Sequence, residues 1–431
     1  MTTFKDTDII WVDKIPINWE IKKIKFLGKT IAWGTPKTEV TEYWGWDIPW
    51  IPSWMVHDCI IDNNEGWKYI TLKWLKESST KEIPKNSPLV ALTWATCANV
   101  ALLKFKATAN QSVVALAVNE NNKPEYIYYS YLANRKQFLF YQTGWAQWGI
   151  NLDEVRNISL ALPPLQTQTI IANFLDSKTD KISTFIKNKK ETIKLLQEQK
   201  QAIIHKAVTK GIEEWIKMKD SWILWVDKVP VSWNLNKLKY VSKINPWKTK
   251  EILPNTNTVF LPMEMVESDW SINQSILKKT SEVSKWYTYF ERNDIVFAKI
   301  TPCFENWKWA LLDNLESEYW FWTTEFHVLR ADNEKIINEF LKIIIQSYNF
   351  KNIGESFMQG SAWQKRVTTN FLSNFEIYIP SVINQEKIIK YISKKINIID
   401  TAITKIESEI QLIEEYKESL IYNAVTGKIN I

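Results

Sequence analysis

The sequence predicts an α+β protein built from two tandem mixed α/β domains and two long helices that pair as a coiled coil. Three observations carry this prediction: an internal repeat, a strand-rich segment in each copy, and an apolar helical seam after each strand-rich segment. Trp11–Phe26 recurs as Trp225–Tyr240, 214 residues later, with eight of sixteen positions identical. Ala207–Gly211 (AVTKG) likewise matches Ala424–Lys428 (AVTGK), at an offset of 217. A unit written twice predicts a pseudo-two-fold molecule.

Each copy begins with a strand-rich segment of about 145 residues. Short apolar runs such as SPLVALTW, NDIVFAKI and TEFHVLR are bounded by turn-forming residues, which is typical of strands. A helix-breaking sequence follows, LPPLQ (Leu162–Gln166) in the first copy and IPSVINQ (Ile379–Gln385) in the second. These breakers separate each predicted domain from the helix that follows it.

Beyond each breaker lies a long segment without Pro or Gly that ends at Gly211 or Gly427, as helices often do. Apolar residues recur there at steps of three and four, and Lys417 is the one polar interruption in the second helix. A seam this apolar needs a partner, and the other copy's helix is always present in the same chain. The predicted seam residues are Ile182, Ile186, Ile193, Leu196, Ile203, Ile392, Ile396, Ile399, Ile403, Ile406, Ile410, Ile413 and Leu420.

The composition, 45% hydrophobic and 24% charged, is that of a soluble globular protein. The sequence has no basic start followed by an apolar run and no stretch of about 18 apolar residues, so we expect neither a signal peptide nor a membrane span. Cys59, Cys97 and Cys303 are too few and too scattered for a disulfide framework. We therefore expect a cytoplasmic protein. Its net charge of +6 permits a polyanionic partner without requiring one.

Tryptophan and glycine occur in unusual numbers, 24 and 10. Many of the tryptophans stand where turn chemistry favours glycine, for example Trp33, Trp46, Trp145, Trp247 and the pair Trp307 and Trp309. Those that read as true tryptophan are Trp11, Trp19, Trp44, Trp50, Trp225 and Trp233. Reading the other 18 as glycine would give a normal glycine content, so we hypothesise that UGA codons meaning glycine are translated here as tryptophan. The alternative is a Trp-rich protein, and UGG codons at the 18 positions would establish it.

The sequence contains no catalytic signature. Neither a GxxxxGK[ST] phosphate loop nor a GxGxxG dinucleotide loop occurs, even with the suspect tryptophans read as glycine. His57, His205 and His327 are far apart, and the pair His57 and Cys59 has no CxxC or HxxxH partner, so no metal site is predicted. His205 is expected to be a helix-face residue beside the seam. The chain is therefore predicted to be non-catalytic and to bind no cofactor itself.

Polar, amide-rich loops recur in both halves instead. Asn and Gln can pair with adenine, and Lys or Arg with guanine, at the major-groove edge of DNA. Lys, Ser and Thr can hold phosphates, which positions a protein without specifying sequence. The candidate DNA-contacting residues are Thr93, Thr96, Asn99, Asn110, Gln111 and Gln147 in the first half and Lys299, Thr301, Asn306, Lys308, Thr324, Gln364, Lys365 and Arg366 in the second.

Several separated segments resemble the specificity subunits of type I restriction–modification systems. They are Tyr43–Trp54, Ala91–Val100, Lys217–Trp233, Thr301–Ala310, Thr323–Arg330 and the two AVT-plus-Gly helix ends. The resemblance sharpens when Trp46, Trp54, Trp94, Trp307 and Trp309 are read as glycine, and it covers essentially the whole chain in the family's order. It implies two target recognition domains, each reading one half of a bipartite DNA site, and two long antiparallel helices as the spacer.

With that family in mind, the chain divides into seven segments. We predict an N-terminal arm (1–19), target recognition domain 1 (20–165), spacer helix 1 (166–211), a connector (212–235), target recognition domain 2 (236–381), spacer helix 2 (382–427) and a tail (428–431). The resemblance implies double-stranded DNA as a partner, together with two modification subunits that bind S-adenosylmethionine and up to two ATP-dependent restriction subunits. S-adenosylmethionine, ATP and Mg are thus expected on those subunits, which would supply adenine methylation and endonuclease activity.

Three alternatives remain open at this point. The chain could be the DNA-recognition subunit of a methyltransferase-only or other multi-subunit restriction system. It could be a recognition module fused to its own methyltransferase or nuclease, against which the absence of every cofactor loop speaks. It could also be a Trp-rich protein that binds something other than DNA, such as a carbohydrate.

Overall fold

The computed structural model describes residues 3–32, 34–37, 39–63, 68–78, 80–141, 149–223, 225–247, 255–262, 265, 272–283, 287–306, 308–313, 319–322, 324–360 and 364–431. The chain folds into two compact units. Unit 1 comprises Met1–Lys190 and Glu407–Ile431, and unit 2 comprises Glu191–Ile406.

Unit 1 combines short strands with short helices. Its strands are β1 (Phe4–Asp6), β2 (Lys14–Pro16), β3 (Glu20–Lys23), β4 (Gly28–Ala32), β5 (Trp44–Gly45), β6 (Ile48–Ile51), β7 (Cys59–Ile61), β8 (Tyr69–Ile70), β9 (Ser87–Ala91), β10 (Val100–Leu103), β11 (Thr108–Ala109), β12 (Val113–Val118) and β13 (Ser159–Leu162). Its short helices are α1 (Leu72–Glu77), α2 (Pro124–Ala133), α3 (Arg135–Phe140) and α4 (Leu152–Asn157). The long helix α5 (Leu165–Lys210) begins in unit 1 and ends in unit 2.

Two sheets form the centre of unit 1, with strand orders β4-β12-β9-β10-β7 and β11-β6-β8-β5. The strands β9 and β10 are buried along their whole length because both of their faces are covered. Val90 belongs to a core shared with Tyr126 of α2, whereas its neighbour Leu89 belongs to a second core with Ile51 of β6. The alternation of side chains along a strand thus places the larger sheet between a helical layer and the second sheet.

Unit 2 has a similar inventory. Its strands are β14 (Met218–Asp220), β15 (Lys228–Pro230), β16 (Asn234–Lys237), β17 (Ser242–Ile244), β18 (Asn257–Leu261), β19 (Leu277–Lys279), β20 (Thr288–Glu291), β21 (Ile295–Ala298), β22 (Trp309–Leu311), β23 (Tyr319–Trp322), β24 (Phe326–Ala331) and β25 (Glu376–Ile379). Its short helices are α6 (Leu238–Val241), α7 (Thr280–Val283), α8 (Asn338–Ile345), α9 (Tyr348–Ser356) and α10 (Thr369–Asn374). The long helix α11 (Val382–Val425) begins in unit 2 and ends in unit 1.

The two units share the order of four strands in one sheet and several strand pairs. The order β17-β24-β21-β22 in unit 2 repeats β4-β12-β9-β10 in unit 1. The second sheet of unit 2, β19-β18-β23-β20, contains the parallel pair β18 and β23, as unit 1 contains the parallel pair β6 and β11. The pairs β1–β2 and β3–β13 recur as β14–β15 and β16–β25. The predicted repetition of a mixed α/β domain is confirmed.

Within each unit the long helices run antiparallel. In unit 1, Lys189 of α5 forms an ion pair of 2.7 Å with Glu409 of α11, and Lys417 lines a groove with Asp180, so the positions ascend in α11 as they descend in α5. In unit 2, Lys200 pairs with Asp400 at 2.8 Å. All the predicted seam residues are buried or half-buried, which is the burial that a coiled-coil seam requires.

A buried glutamine fastens the first turn of each long helix to its domain. The Nε2 of Gln168 donates to Pro163 O at 2.9 Å, and its Oε1 accepts from the Lys123 backbone at 2.9 Å. Gln385 does the same in unit 2, donating to Pro380 O at 3.0 Å and accepting from Ile337 N at 2.8 Å. Both amides are fully used, which is what a buried polar side chain needs.

The repeated segment, Trp11–Phe26 and Trp225–Tyr240, packs against the end of each long helix. Gly211 and Gly427 have φ of +75° and +68°, the left-handed conformation that ends many helices. Trp233 lies beside Gly211, and its counterpart Trp19 lies with Pro16 beside Gly427. The repeat is therefore explained as a helix-capping hairpin that each unit supplies for itself.

Several tryptophans of the glycine-like set lie at the surface, and one of them has a backbone conformation that favours glycine. Trp46, Trp222 and Trp247 are 87%, 88% and 91% exposed, and Trp215 is 97% exposed with φ of +73°. Other tryptophans of the glycine-like set, Trp74 and Trp309, are buried. Trp11, which reads as a true tryptophan, also has a positive φ, of +72°.

Trp215→Gly is expected to stabilise unit 2 by about 1 kcal/mol, because a non-glycine residue is strained at positive φ and the exposed indole contributes little packing. Calorimetric unfolding measures the effect. Trp222→Gly is the matched control, since Trp222 is equally exposed but is not among the positive-φ residues of the described chain. We expect Trp222→Gly to be neutral or slightly destabilising, because glycine only adds freedom to the unfolded chain there. Equal effects of the two substitutions would exclude backbone strain at Trp215.

No helix in the described ranges is long and apolar enough to cross a bilayer.

Candidate nucleic-acid interface

Three loops of unit 1 meet through main-chain hydrogen bonds beyond the end of β9. The Leu92 amide donates to Ser112 O at 2.8 Å, and the Ile150 amide donates to Leu92 O at 2.9 Å. Thr93 and Gly149 form an isolated bridge beside them. A Cβ at Gly149 would lie 2.8 Å from Leu92 O, so this close approach requires glycine. We call this meeting of three loops the unit 1 junction.

Unit 2 builds the same junction. The Lys299 amide donates to Glu325 O at 2.9 Å, and the Val367 amide donates to Lys299 O at 2.8 Å. Ile300 and Arg366 form the bridge that corresponds to Thr93 and Gly149. The two junctions therefore share a main-chain scaffold but present different side chains, Ser112 and Gly149 in one and Glu325 and Arg366 in the other.

The unit 1 candidates gather at its junction. Thr93, Thr96 and Asn99 lie in the loop between β9 and β10, where Thr96 Oγ1 donates to Thr93 O at 3.0 Å. Asn110 and Gln111 form the turn before β12, and Asn110 Oδ1 accepts from Ser112 N at 3.2 Å. Gln147 lies outside the described residues.

The turn before β12 also receives a side chain from a fourth segment. Thr35 Oγ1 donates to Gln111 Oε1. Gln111 is exposed, and Asn99 and Asn110 are half-exposed. The described candidate side chains at the unit 1 junction are thus neutral amide and hydroxyl groups.

The unit 2 candidates also converge. Thr301 and Lys365 are joined by two bonds, from Thr301 N to Lys365 O at 3.0 Å and from Lys365 N to Thr301 Oγ1 at 3.2 Å. Thr324 precedes Glu325 and is exposed, as are Gln364 and Lys365. Asn306 and Lys308 lie further along the loop that begins at Lys299, with Asn306 N bonded to Pro302 O at 2.9 Å.

Charged groups distinguish the unit 2 junction. Arg366 donates through Nε and Nη2 to the two carboxylate oxygens of Glu325, each at 2.9 Å. The Arg366 guanidinium lowers the pKa of Glu325, and Glu325 raises the pKa of Arg366. Burial lowers the pKa of the Lys299 ammonium; the Glu325 charge opposes this shift and the Arg366 charge adds to it. Sequence reasoning selected Lys299 and Arg366 but missed Glu325, whose carboxylate binds Arg366 and whose main-chain carbonyl accepts from Lys299 N.

A buried histidine, His327, is hydrogen-bonded to the main chain of the same junction. Burial lowers the pKa of His327 to about 4, so its ring is neutral at pH 7. Its Nε2 donates to Val367 O at 2.8 Å, and its Nδ1 accepts from Asn245 Nδ2 at 3.2 Å. Because Val367 follows Arg366 directly, His327 fixes the segment that carries the guanidinium.

The remaining histidines and cysteines form no cluster. His57 Nδ1 lies 2.8 Å from Met55 O and 3.9 Å from Cys59 Sγ. Within the described ranges, no group of three or more His, Cys, Asp or Glu side chains could hold a metal ion. Burial raises the pKa of Cys59, Cys97 and Cys303, which makes their thiols less reactive. His205 is half-buried on α5, where its Nδ1 lies 2.6 Å from Asn349 Nδ2.

Comparison with known proteins gives consistent matches. Residues 16–195 match the family model "Type I restriction modification DNA specificity domain". The chain is 34% identical over 192 residues to the EcoAI specificity subunit of Escherichia coli, a match that covers 43% of this chain and only 32% of that relative. It is 25% identical to the MjaVIII specificity subunit of Methanocaldococcus jannaschii over 97% of this chain and 94% of the relative.

One solved structure gives the fold over nearly the whole length. It comes from a study of complex assembly and conformational transition of the type I R-M system, and it superimposes with a TM-score of 0.70. The alignment covers 96% of this chain and 99% of that one, at 13% identity. At this sequence identity the likeness establishes the fold alone. The alignment includes residues of both units.

Proposed function

Because residues 16–195 match the DNA specificity domain of type I restriction–modification systems and the chain resembles specificity subunits of such systems, we propose that it reads DNA sequence for such a complex and performs no chemistry itself. The observation that carries the proposal is the repeated junction. One main-chain scaffold occurs in both units with different side chains. A reader of a bipartite site made of two unlike half-sites needs that combination.

The chemistry of each junction suits base edges in the major groove. The amides of Asn110 and Gln111 in unit 1 can pair with adenine, and Arg366 in unit 2 can pair with guanine. Lysines outside the junctions can contact phosphates, in keeping with the net charge of +6. We therefore assign sequence reading to the junction residues and positioning to the surrounding lysines.

We further propose that the long helices carry the partner subunits as well as the two readers. Unit 1 exposes Phe185 by 41%, Leu412 by 64% and Tyr416 by 52% on these helices. Unit 2 exposes Leu195 by 55% and Ile398 by 59%. Apolar groups left in water on a helix surface suit docking of another helical protein.

The partners proposed for this surface are two modification subunits, with restriction subunits joining the same complex. S-adenosylmethionine, ATP and Mg would then be bound by those partners, and the complex would methylate adenine and cut DNA in the cytoplasm.

A selection experiment tests the proposal. The full chain, alone and assembled with modification subunits, is mixed with duplexes that carry a long randomised stretch, and the bound duplexes are sequenced. We expect enrichment of two fixed segments separated by a stretch of constant length and free sequence. Binding without any sequence enrichment, or enrichment of one uninterrupted segment, would overturn the proposal.

A further inference from the structure

The ion pair at the unit 2 junction leaves one edge of the Arg366 guanidinium without a close partner among the described residues. Glu325 takes the edge formed by Nε and Nη2, with both bonds at 2.9 Å. Among the described residues, Nη1 has only a long contact of 3.4 Å, to Gln364 O. A guanidinium has five N–H donors in a fixed plane, so the edge formed by Nη1 and Nη2 still has donors to offer. The side chains are 41% and 29% exposed, so a ligand can reach them.

We propose that Glu325 and Arg366 form a buttressed guanine reader, in which Glu325 positions the guanidinium and Arg366 contacts the base. This inference rests on the proposed DNA-reading function and names the base that unit 2 recognises. Guanine presents two acceptors, O6 and N7, side by side in the major groove, and they match the free edge of an arginine whose other edge is occupied. Holding the guanidinium before binding reduces the side-chain entropy that is lost when the contact forms.

Main-chain geometry holds the reader in place. Arg366 exchanges two backbone bonds with Gln359, at 2.8 and 3.0 Å, and Val367 is tied to both Lys299 and His327. Glu325 is fixed by the bond from Lys299 N to its carbonyl. The two partners therefore come from segments 41 residues apart that the junction brings together.

A second arginine–carboxylate pair in unit 2, Arg330 and Asp294, is largely buried and serves as a structural comparison. Arg330 donates to Asp294 through Nε and Nη2, each at 2.8 Å, and also reaches Glu291 at 3.1 Å. The Asp294 side chain is only 1% exposed and that of Arg330 only 19%. Arg330 lies near the end of β24 that is remote from the junction. Its charges are satisfied inside the unit, whereas Arg366 faces solvent.

The described part of the unit 1 junction has no such ion pair. The positions that correspond to Glu325 and Arg366 are Ser112 and Gly149, which have neither a carboxylate nor a guanidinium. The half-site read by unit 2 should therefore contain a guanine that Arg366 contacts. We expect no arginine-to-guanine contact from the corresponding position, Gly149, of unit 1.

The test measures binding of the full assembled complex to a panel of duplexes in which every base pair of the selected site is changed in turn. We expect Arg366→Lys to reduce the preference for G·C at one position of one half-site by roughly 10- to 100-fold, because lysine cannot make the bidentate contact. Glu325→Gln should weaken the preference at that same position by a smaller factor. Both variants keep the main-chain bonds of the junction, and their thermal midpoints report any loss of folding. Arg330→Lys is the matched control and should leave the base preferences unchanged.

Three results would overturn the inference. A uniform loss of affinity for all sequences in Arg366→Lys would make Arg366 a phosphate contact. A change at an A·T position, or no change in base preference, would mean that the pair does not read guanine. In these cases the wild-type complex still selects its site, so the proposed function stands. A wild-type complex without sequence preference would overturn both.

Discussion

Ile392→Asp is expected to lower the free energy of unfolding of unit 2 by on the order of 4 kcal/mol. Ile392 is 1% exposed in α11 and belongs to a core with Ile204 and Val208 of α5. The substitution removes a buried aliphatic side chain and places an ionisable carboxyl in an apolar seam, and both changes are costly. Denaturant or calorimetric unfolding of the full chain measures the loss.

Ile398→Asp is the matched control on the same helix and in the same unit. Ile398 is 59% exposed, so its replacement loses little burial. The small difference in helix propensity between isoleucine and aspartate adds at most about 0.5 kcal/mol. A loss as large in Ile398→Asp as in Ile392→Asp would contradict the assignment of the seam.

The second large effect is a dependence of unit 2 stability on pH. His327 has a pKa of about 4 in the folded unit, below the ordinary value of 6.5. Between these pH values the unfolded chain binds a proton that the folded unit does not, so stability falls as the pH drops from 6.5 to 4. The contribution is about 3 kcal/mol, all of it present above pH 6.5 and lost below pH 4.

His327→Gln isolates this contribution, because Gln can donate to Val367 O and accept from Asn245 without titrating in this range. The unfolding free energy of wild type minus that of His327→Gln should fall steadily as the pH is lowered from 7 to 4. His205→Gln is the control, since His205 is only half-buried and should show a weaker trend. A difference that does not change with pH would refute the neutral, buried state of His327.

Much of the architecture could be predicted from sequence, because it depends on patterns that repeat. The heptad steps predicted the seam residues, and the recurrence of Trp11–Phe26 indicated a doubled domain. The structure, with its two units of similar strand order and its long helices antiparallel within each unit, confirms the predicted fold, and residues 16–195 match the DNA specificity domain of the predicted family. The proposed contacts with DNA stay predictions.

The side-chain partners at the junctions could not be predicted, because they do not repeat. Glu325 and Arg366 are 41 residues apart, and the corresponding residues of unit 1 are Ser112 and Gly149. Because these residues carry no charge, an alignment of the two halves gives no sign of the ion pair. Gln168 and Gln385 do occupy equivalent places after the two breakers. Their common position was a usable signal, but only the buried carbonyls around them reveal the role of these amides.

The central claim is that two equivalent junctions read two different half-sites. Duplex selection with the double variant Asn110→Ala, Gln111→Ala and, separately, with Gln364→Ala tests it most directly. We expect the unit 1 variant to relax the sequence of one fixed segment and the unit 2 variant to relax only the other. If either variant altered both segments together, or if both altered the same segment, one reader per unit would be refuted.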